Sequence, residues 1–176
     1  NVSVFDIHIN TVNVSNLNSL SMSRENDLIW EINTTANELG CNQEDSNCTL
    51  IFTAIDLAGN VNSTTTMDLI IDDTNPKIHT LLSNDTDNIT RSDSLLNFTV
   101  NATDTNTLSL SLNGTPMILS EDGDTWYTLN TTSEFGCTTD GNCSLTAIAT
   151  DIAGNTNETS YTIVVDNTAP IIYYLR

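Results

Sequence analysis

Thirteen asparagines head an Asn-x-Ser/Thr triplet, the acceptor pattern for N-linked sugar: Asn1, Asn13, Asn33, Asn47, Asn62, Asn84, Asn88, Asn97, Asn101, Asn113, Asn130, Asn142 and Asn157. With 24 Asn and 45 Ser plus Thr in 176 residues, composition alone yields about six. The pattern is enriched, although an Asn- and Thr-rich surface makes such triplets cheaply. Asn47 and Asn142 each precede a cysteine and are the strongest single candidates. Four cysteines form two close pairs, Cys41/Cys48 and Cys137/Cys143, enclosing six and five residues in polar, turn-rich stretches. Such pairs suit disulfides of an oxidising compartment. Loops so short gain about 2–3 kcal/mol or less, so the bridges would be local staples. The alternative, one four-Cys zinc site, needs two separate segments to converge and lacks Cys-x2-Cys spacing.

Catalysis needs a convergent acid, base or nucleophile. The chain offers two histidines, His8 and His79, that do not recur in equivalent positions, and no nucleophile elbow, phosphate loop or paired-His metal motif. No catalytic residue and no cofactor are expected. The net charge of −19, with Arg24, Lys77, Arg91 and Arg176 as the only basic residues, repels nucleic acid and anionic membrane surfaces. No run approaches the roughly 20 apolar residues of a membrane span, so this segment is not expected to insert in a bilayer, and no basic-then-apolar leader opens it. If the protein is secreted, its signal has been removed or lies outside this sequence.

The apolar residues, 38% of the chain, fall in short, β-branched, evenly spaced runs, the pattern of a folded all-β chain. What organises them is a repeat. Asn1 placed on Asn97 keeps register without a gap through Trp30 on Trp126, Glu38 on Glu134, Gly40 on Gly136 and Cys41 on Cys137. After one lost residue, Cys48 meets Cys143 and Asp56-Leu-Ala-Gly-Asn60 meets Asp151-Ile-Ala-Gly-Asn155; after a second, Asp72-Asp-Thr-Asn-Pro76 meets Asp166-Asn-Thr-Ala-Pro170. The period of about 95 residues fits a seven-stranded sandwich and exceeds the common helical solenoid units. Strands are expected near 77–82, 94–103, 107–112, 116–119, 125–130, 143–150 and 159–165. Alternation turns Leu108, Leu110, Leu112, Leu145, Ala147, Ala149, Tyr161, Ile163 and Val165 inward in the second copy, and Leu50, Phe52, Ala54, Met67, Leu69 and Ile71 in the first. Trp30 and Trp126 are read as core anchors rather than exposed stacking platforms. Asn97 and Asn101 share one side of a strand whose other side carries Phe98 and Val100, so glycans there would coat a sheet face. Asp-x-Ala-Gly-Asn reads as a hairpin turn, with glycine free to take positive φ and the Asp and Asn side chains bonding the turn backbone.

The run Ala-Thr-Asp-Ile-Ala-Gly-Asn-Thr-Asn, a Thr- and Val-rich strand and then Asp-Asn-Thr-Ala-Pro resembles the repeating signature of prokaryotic Ig-like domains in large bacterial and archaeal surface proteins. The resemblance covers nearly the whole chain. It implies two tandem Ig-like antiparallel β-sandwich domains, 1–74 and 75–168, followed by 169–176 as a leading strand. It also implies an extracellular, cell-surface place and a structural role as an adhesin, stalk, surface-layer or filament subunit, and it does not choose among these. The leading expectation is a non-catalytic, glycosylated repeat module of a surface layer, stalk or filament. The alternative is an adhesin-type binding module that recognises a carbohydrate or another cell, for which Tyr173-Tyr174 is the nearest aromatic cluster.

At the inter-repeat junctions, Asp72 and Asp73 before Pro76 and Asp166 before Pro170 could bind calcium as junction acids do in cadherin-like chains; the plainer reading is a Pro-stiffened linker with solvated carboxylates. Asn1 aligns inside the second strand of the repeat, while Ala169-Pro-Ile-Ile-Tyr-Tyr-Leu-Arg176 matches the leading strand Asn75-Pro-Lys-Ile-His-Thr-Leu-Leu82. Two readings follow. The sequence is a window on a longer array, or residues 170–176 of one copy complete the first domain of the next by donor-strand complementation.

Overall fold

The computed structural model describes residues 1–6, 8–106 and 108–174. The expected strand position Thr107 and the terminal Leu175 and Arg176 lie outside the described residues. The chain divides into two compact units, 1–73 and 74–176.

The strands of the first unit are β1 (Val2–Ser3), β2 (Ile9–Ser15), β3 (Ser19–Ser21), β4 (Ser23–Arg24), β5 (Ile29–Glu31), β6 (Ser46–Asp56) and β7 (Val61–Ile71). Those of the second are β8 (Lys77–Ser83), β9 (Ile89–Thr90), β10 (Leu95–Thr103), β11 (Leu108–Leu112), β12 (Thr115–Pro116), β13 (Ile118–Leu119), β14 (Thr125–Thr131), β15 (Gly141–Asp151) and β16 (Thr156–Val165). The fold is all-β.

In the second unit one sheet runs β13-β14-β10-β8 and the other β12-β11-β15-β16-β9. These are the ABED and CFG sheets of an immunoglobulin-like sandwich. Alternation along β10 buries Leu96, Phe98, Val100 and Ala102, which meet Leu110, Leu112, Leu145, Ala147, Ala149, Ile163 and Val165 from the facing sheet. Phe98 stands edge-on to Phe135 at 5.4 Å and to Tyr161 at 5.7 Å. Each large side chain fully removed from water contributes about 1.5–3 kcal/mol. On β8, Ile78 and Leu81 close the core from the edge, β8 pairing with β10 through Leu81↔Val100 and Ile78↔Ala102.

In the first unit the sheets are β1-β5-β4 and β3-β2-β6-β7. Their core holds Val12, Val14, Met22, Trp30, Leu39, Leu50 and the Cys41 and Cys48 half-cystines.

Two expectations need correction. Met67 was placed inward by alternation but is 50% exposed, because nothing among the described residues covers that stretch of β7. The single strand expected at 116–119 is two. Thr115–Pro116 pairs with β11 and Ile118–Leu119 with β14, so the chain changes sheets across the buried Met117. Beside the expected antiparallel pairing, the short β9 runs parallel to the end of β16, Ile89↔Val164 and Thr90↔Val165, which ties the start of the domain to its last strand. The two tryptophans differ, Trp30 being buried and Trp126 half-buried against its core.

Candidate functional site

The repeated acidic residues occupy equivalent places in both units and bond the backbone of the loops and ends of their own unit. In the hairpin between β6 and β7, the Asp56 carboxylate accepts from the Asn60 backbone N–H at 2.8 Å and its side-chain amide at 2.7 Å. Between β15 and β16, Asp151 accepts from Gly154 N–H at 2.7 Å, Asn155 N–H at 2.9 Å and the Asn155 amide at 2.9 Å. The Asn60 side-chain and backbone bonds hold the Asp56 carboxyl below the ordinary carboxylate value. Burial pushes Asp151 up, but the bonds from Asn155 and the turn backbone outweigh it and the net shift is downward.

A second device precedes each first cysteine and escaped the sequence reading. Thr35-Ala-Asn-Glu38 and Thr131-Thr-Ser-Glu134 are reciprocal capping boxes. Glu38 Oε2 accepts from Thr35 N–H at 2.9 Å while Thr35 Oγ1 accepts from Glu38 N–H at 3.3 Å. Glu134 and Thr131 do the same at 2.8 and 3.3 Å. Backbone bonds from Thr35 and Thr131 are the main reason that both glutamates lie below their ordinary value. The next residues, Leu39 and Phe135, turn into the cores; Gly40 and Gly136 then take φ of +87° and +90°, a conformation that favours glycine. That delivers Cys41 to Cys48 and Cys137 to Cys143, with Cα atoms 5.5 and 5.8 Å apart. The Thr-x-x-Glu signature was legible in both repeats.

The end motifs are braced too. Asp140 Oδ1 accepts from Asn167 N–H at 2.8 Å and Oδ2 from the Thr168 hydroxyl at 2.6 Å, which together lower the Asp140 carboxyl, the Thr168 bond most. At the equivalent place Glu44 Oε1 accepts from Asp73 N–H at 2.8 Å. Carboxylate oxygens of Glu44, Asp45 and Asp72 lie within 4.8 Å of one another and are the acids of this unit with a cation-compatible spacing, whereas Asp166 accepts from Thr168 N–H. His8 and His79 fall in different units; the His79 Nε2 is 2.8 Å from Thr103 Oγ1.

The sugar-acceptor asparagines sort by environment. Asn47 and Asn142 are exposed, each on the outward side of β6 or β15 next to the inward cysteine. Asn1, Asn33, Asn62, Asn84 and Asn88 are exposed, while Asn13, Asn97, Asn101 and Asn130 are half-buried. Asn88 accepts from the Tyr161 hydroxyl. The amide nitrogens of Asn101, Asn113 and Asn157 donate to the backbone carbonyls of Asp124, Phe135 and Pro76, so these three also serve their own fold. Asn97 and Asn101 lie on the outer side of β10, opposite the buried Phe98 and Val100.

No helix of the described residues is long and apolar enough to cross a membrane, which says nothing of β-barrels.

Residues 83–167 match the family of the bacterial Ig-like domain. Among solved structures, the fibronectin(III)-like modules of Clostridium thermocellum CbhA are similar at a TM-score of 0.53 and 13% identity, over 98% of this chain and 88% of theirs. An adhesin stabilised by Ca2+, with which an Antarctic bacterium binds ice, matches at 0.38 and 20%, over 90% and 40%. The amphioxus IgVJ-C2 molecule matches at 0.36 and 11%, over 93% and 94%. No curated protein matches this chain. The chain has an Ig-like β-sandwich fold.

Proposed function

We propose that this chain is a non-catalytic structural module of an extracellular, N-glycosylated surface layer, stalk or filament. The observation that carries the reading is how the repeated chemistry is used. Asp56/Asp151 and Glu38/Glu134 each bond the backbone of their own turn, Glu44 and Asp140 bond the backbone that follows the last strand of their unit, and the cysteines are joined in pairs. What the two repeats direct outward at equivalent positions is a sugar acceptor, Asn47 and Asn142. Disulfides and glycans both belong to compartments outside the cytoplasm. Acidic charge and a sugar coat keep such a module soluble. Glycopeptide mass spectrometry of protein isolated from its native source tests the reading: sugar is expected on Asn47 and Asn142, and unmodified asparagine at both would end it.

An adhesin-type reading has one observation in its favour. The outer side of the β13-β14-β10-β8 sheet exposes Ile118, Tyr127, Leu129 and Leu82, whereas the first unit carries Glu31 and Asn33 where the second has Tyr127 and Leu129. Asn97 pairs directly with Leu129 across the sheet. A glycan on Asn97 covers this strip; a bare Asn97 leaves it open to a ligand. The same mass spectra therefore weigh the two readings.

A further inference from the structure

The outer side of the β13-β14-β10-β8 sheet is more apolar than a solvated face needs to be, and strand register fixes how its side chains are arranged. Tyr127 on β14 pairs with Ile118 on β13 and with Thr99 on β10, and Thr99 pairs in turn with Leu82 on β8. In the next row Leu129 faces Asn97, and beyond it Leu95 faces Thr131. Leu82, Leu95, Ile118 and Leu129 are each more than half exposed, and Tyr127 is 39% exposed. Side chains directly opposite one another on a sheet lie about 5 Å apart, and diagonal ones about 7–8 Å. Leu129, Leu95, Leu82 and Tyr127 therefore surround Asn97, and Ile118 extends the strip past Tyr127. The sandwich itself does not require this strip, since the first unit has Glu31 and Asn33 where the second has Tyr127 and Leu129.

The asparagine at the centre heads the acceptor triplet Asn97-Phe98-Thr99. Its backbone N–H donates to Asn84 Oδ1 at 2.9 Å, and its own Oδ1 is buried with no hydrogen-bond partner. The oxygen end of the carboxamide thus points into the sheet, and Nδ2, the atom that takes sugar, is the outward end. Asn101, the other acceptor on this side of β10, uses its Nδ2 to donate to the Asp124 carbonyl at 3.3 Å. A sugar linked at Asn97 starts its course inside the strip. The faces of a pyranose ring carry C–H groups and its rim carries hydroxyls, so it can lay an apolar face on leucine and tyrosine while the hydroxyls stay in water, as other amphipathic groups do. The covalent link also holds the first sugars there at an effective concentration of roughly millimolar or more, against which any separate ligand has to compete.

We propose that an N-linked sugar on Asn97 occupies this strip and packs on Leu129, Tyr127 and Leu82 as an outer layer of the second unit. This assignment rests on the N-glycosylated reading above and gives one acceptor a task of its own, sealing the outer side of β10 and β14.

A cycle of two changes in the full chain, produced in its native source, tests this. Thr99→Ala abolishes the acceptor triplet and leaves Asn97 in place. Tyr127→Ser with Leu129→Ser removes the strip and keeps the triplet, at positions exposed enough for the domain to fold. Glycopeptide mass spectrometry reads occupancy at Asn97, and hydrogen exchange reads the protection of β10 and β14. Sugar is expected on Asn97. Its loss through Thr99→Ala is expected to speed exchange of β10 and β14 severalfold and to let the chain bind an apolar dye. In the strip variant the same Thr99→Ala change is expected to have little effect, because the sugar has nothing left to cover. Thr99→Ala in a chain made without N-glycosylation gives the contribution of the hydroxyl itself, which is subtracted. A bare Asn97 in the native protein overturns the proposal; sugar on Asn47 and Asn142 in the same spectra would leave the reading it rests on standing. A sugar on Asn97 whose loss speeds exchange equally with and without Tyr127 and Leu129 also overturns it, since the glycan then acts by bulk alone.

Discussion

Strands β7 and β16 end the two repeats, and their sequences alternate in the same phase. Yet β16 ends in a sealed core and β7 in a half-open one. The hairpins that lead into them are bonded alike, Asp56 to Asn60 and Asp151 to Asn155; the difference lies across the sandwich. With β8 in place, β10 holds seven paired residues against β14, while β1 holds two against β5. Alternation tells which side of a strand is apolar, but only a covering layer makes that side a core, since the stabilisation scales with area removed from water.

The sharpest way to break that comparison is to cut equivalent side chains. Ile163→Ala, at a fully buried position, is expected to cost its unit about 3 kcal/mol. Leu69→Ala, half-buried, is expected to cost about 1 kcal/mol, having less surface to lose. Native-state hydrogen exchange of β15 and β6 reads each unit separately; equal losses would mean that the first core is as closed as the second. A smaller contrast lies at the paired glycines. Both have φ near +90°, which costs a residue with a Cβ about 1–2 kcal/mol. At Gly40 that Cβ would also sit 2.6 Å from Leu17 Cβ, whereas at Gly136 nothing lies within 4 Å. Gly40→Ala is therefore expected to lower the melting temperature of its unit more than Gly136→Ala lowers that of the second.

The smallest effect sharpens what the units share. Glu38, Glu134, Asp56, Asp151 and Asp140 all titrate below their ordinary values when folded. A depressed carboxyl contributes its full stability above the unfolded pKa and loses it as pH falls through the folded one, so both units are expected to weaken together below about pH 4. Glu134→Gln should flatten the acid side of the melting-temperature profile for the second unit alone, because the amide cannot titrate.

Much of this was readable in the chain. The 95-residue register, the inward phase of β10, β11 and β15, the Asp-x-Ala-Gly-Asn hairpins and the proximity of each cysteine pair are local facts, and local facts survive translation into structure. The Thr-x-x-Glu boxes are equally local, but they cap a single turn rather than a long helix, so no apolar helical run follows to mark them. Met67 failed for a different reason: it keeps the phase of Leu69 and Ile71 on β7, but nothing among the described residues covers it. The break at Met117 likewise needed a choice between two sheets, with β11 and β14 competing for four residues.

Spacing, turn chemistry and alternation are short-range consequences of backbone geometry, so the sequence by itself determined the sandwich class, the repeat, the hairpins and the outward side that bears Asn47 and Asn142. Coverage is long-range. Only the tertiary structure decided that Asn113 and Asn157 brace backbone carbonyls, that β9 runs parallel to β16, and that Met117 sits between two sheets, because each depends on which distant segment comes to lie against which.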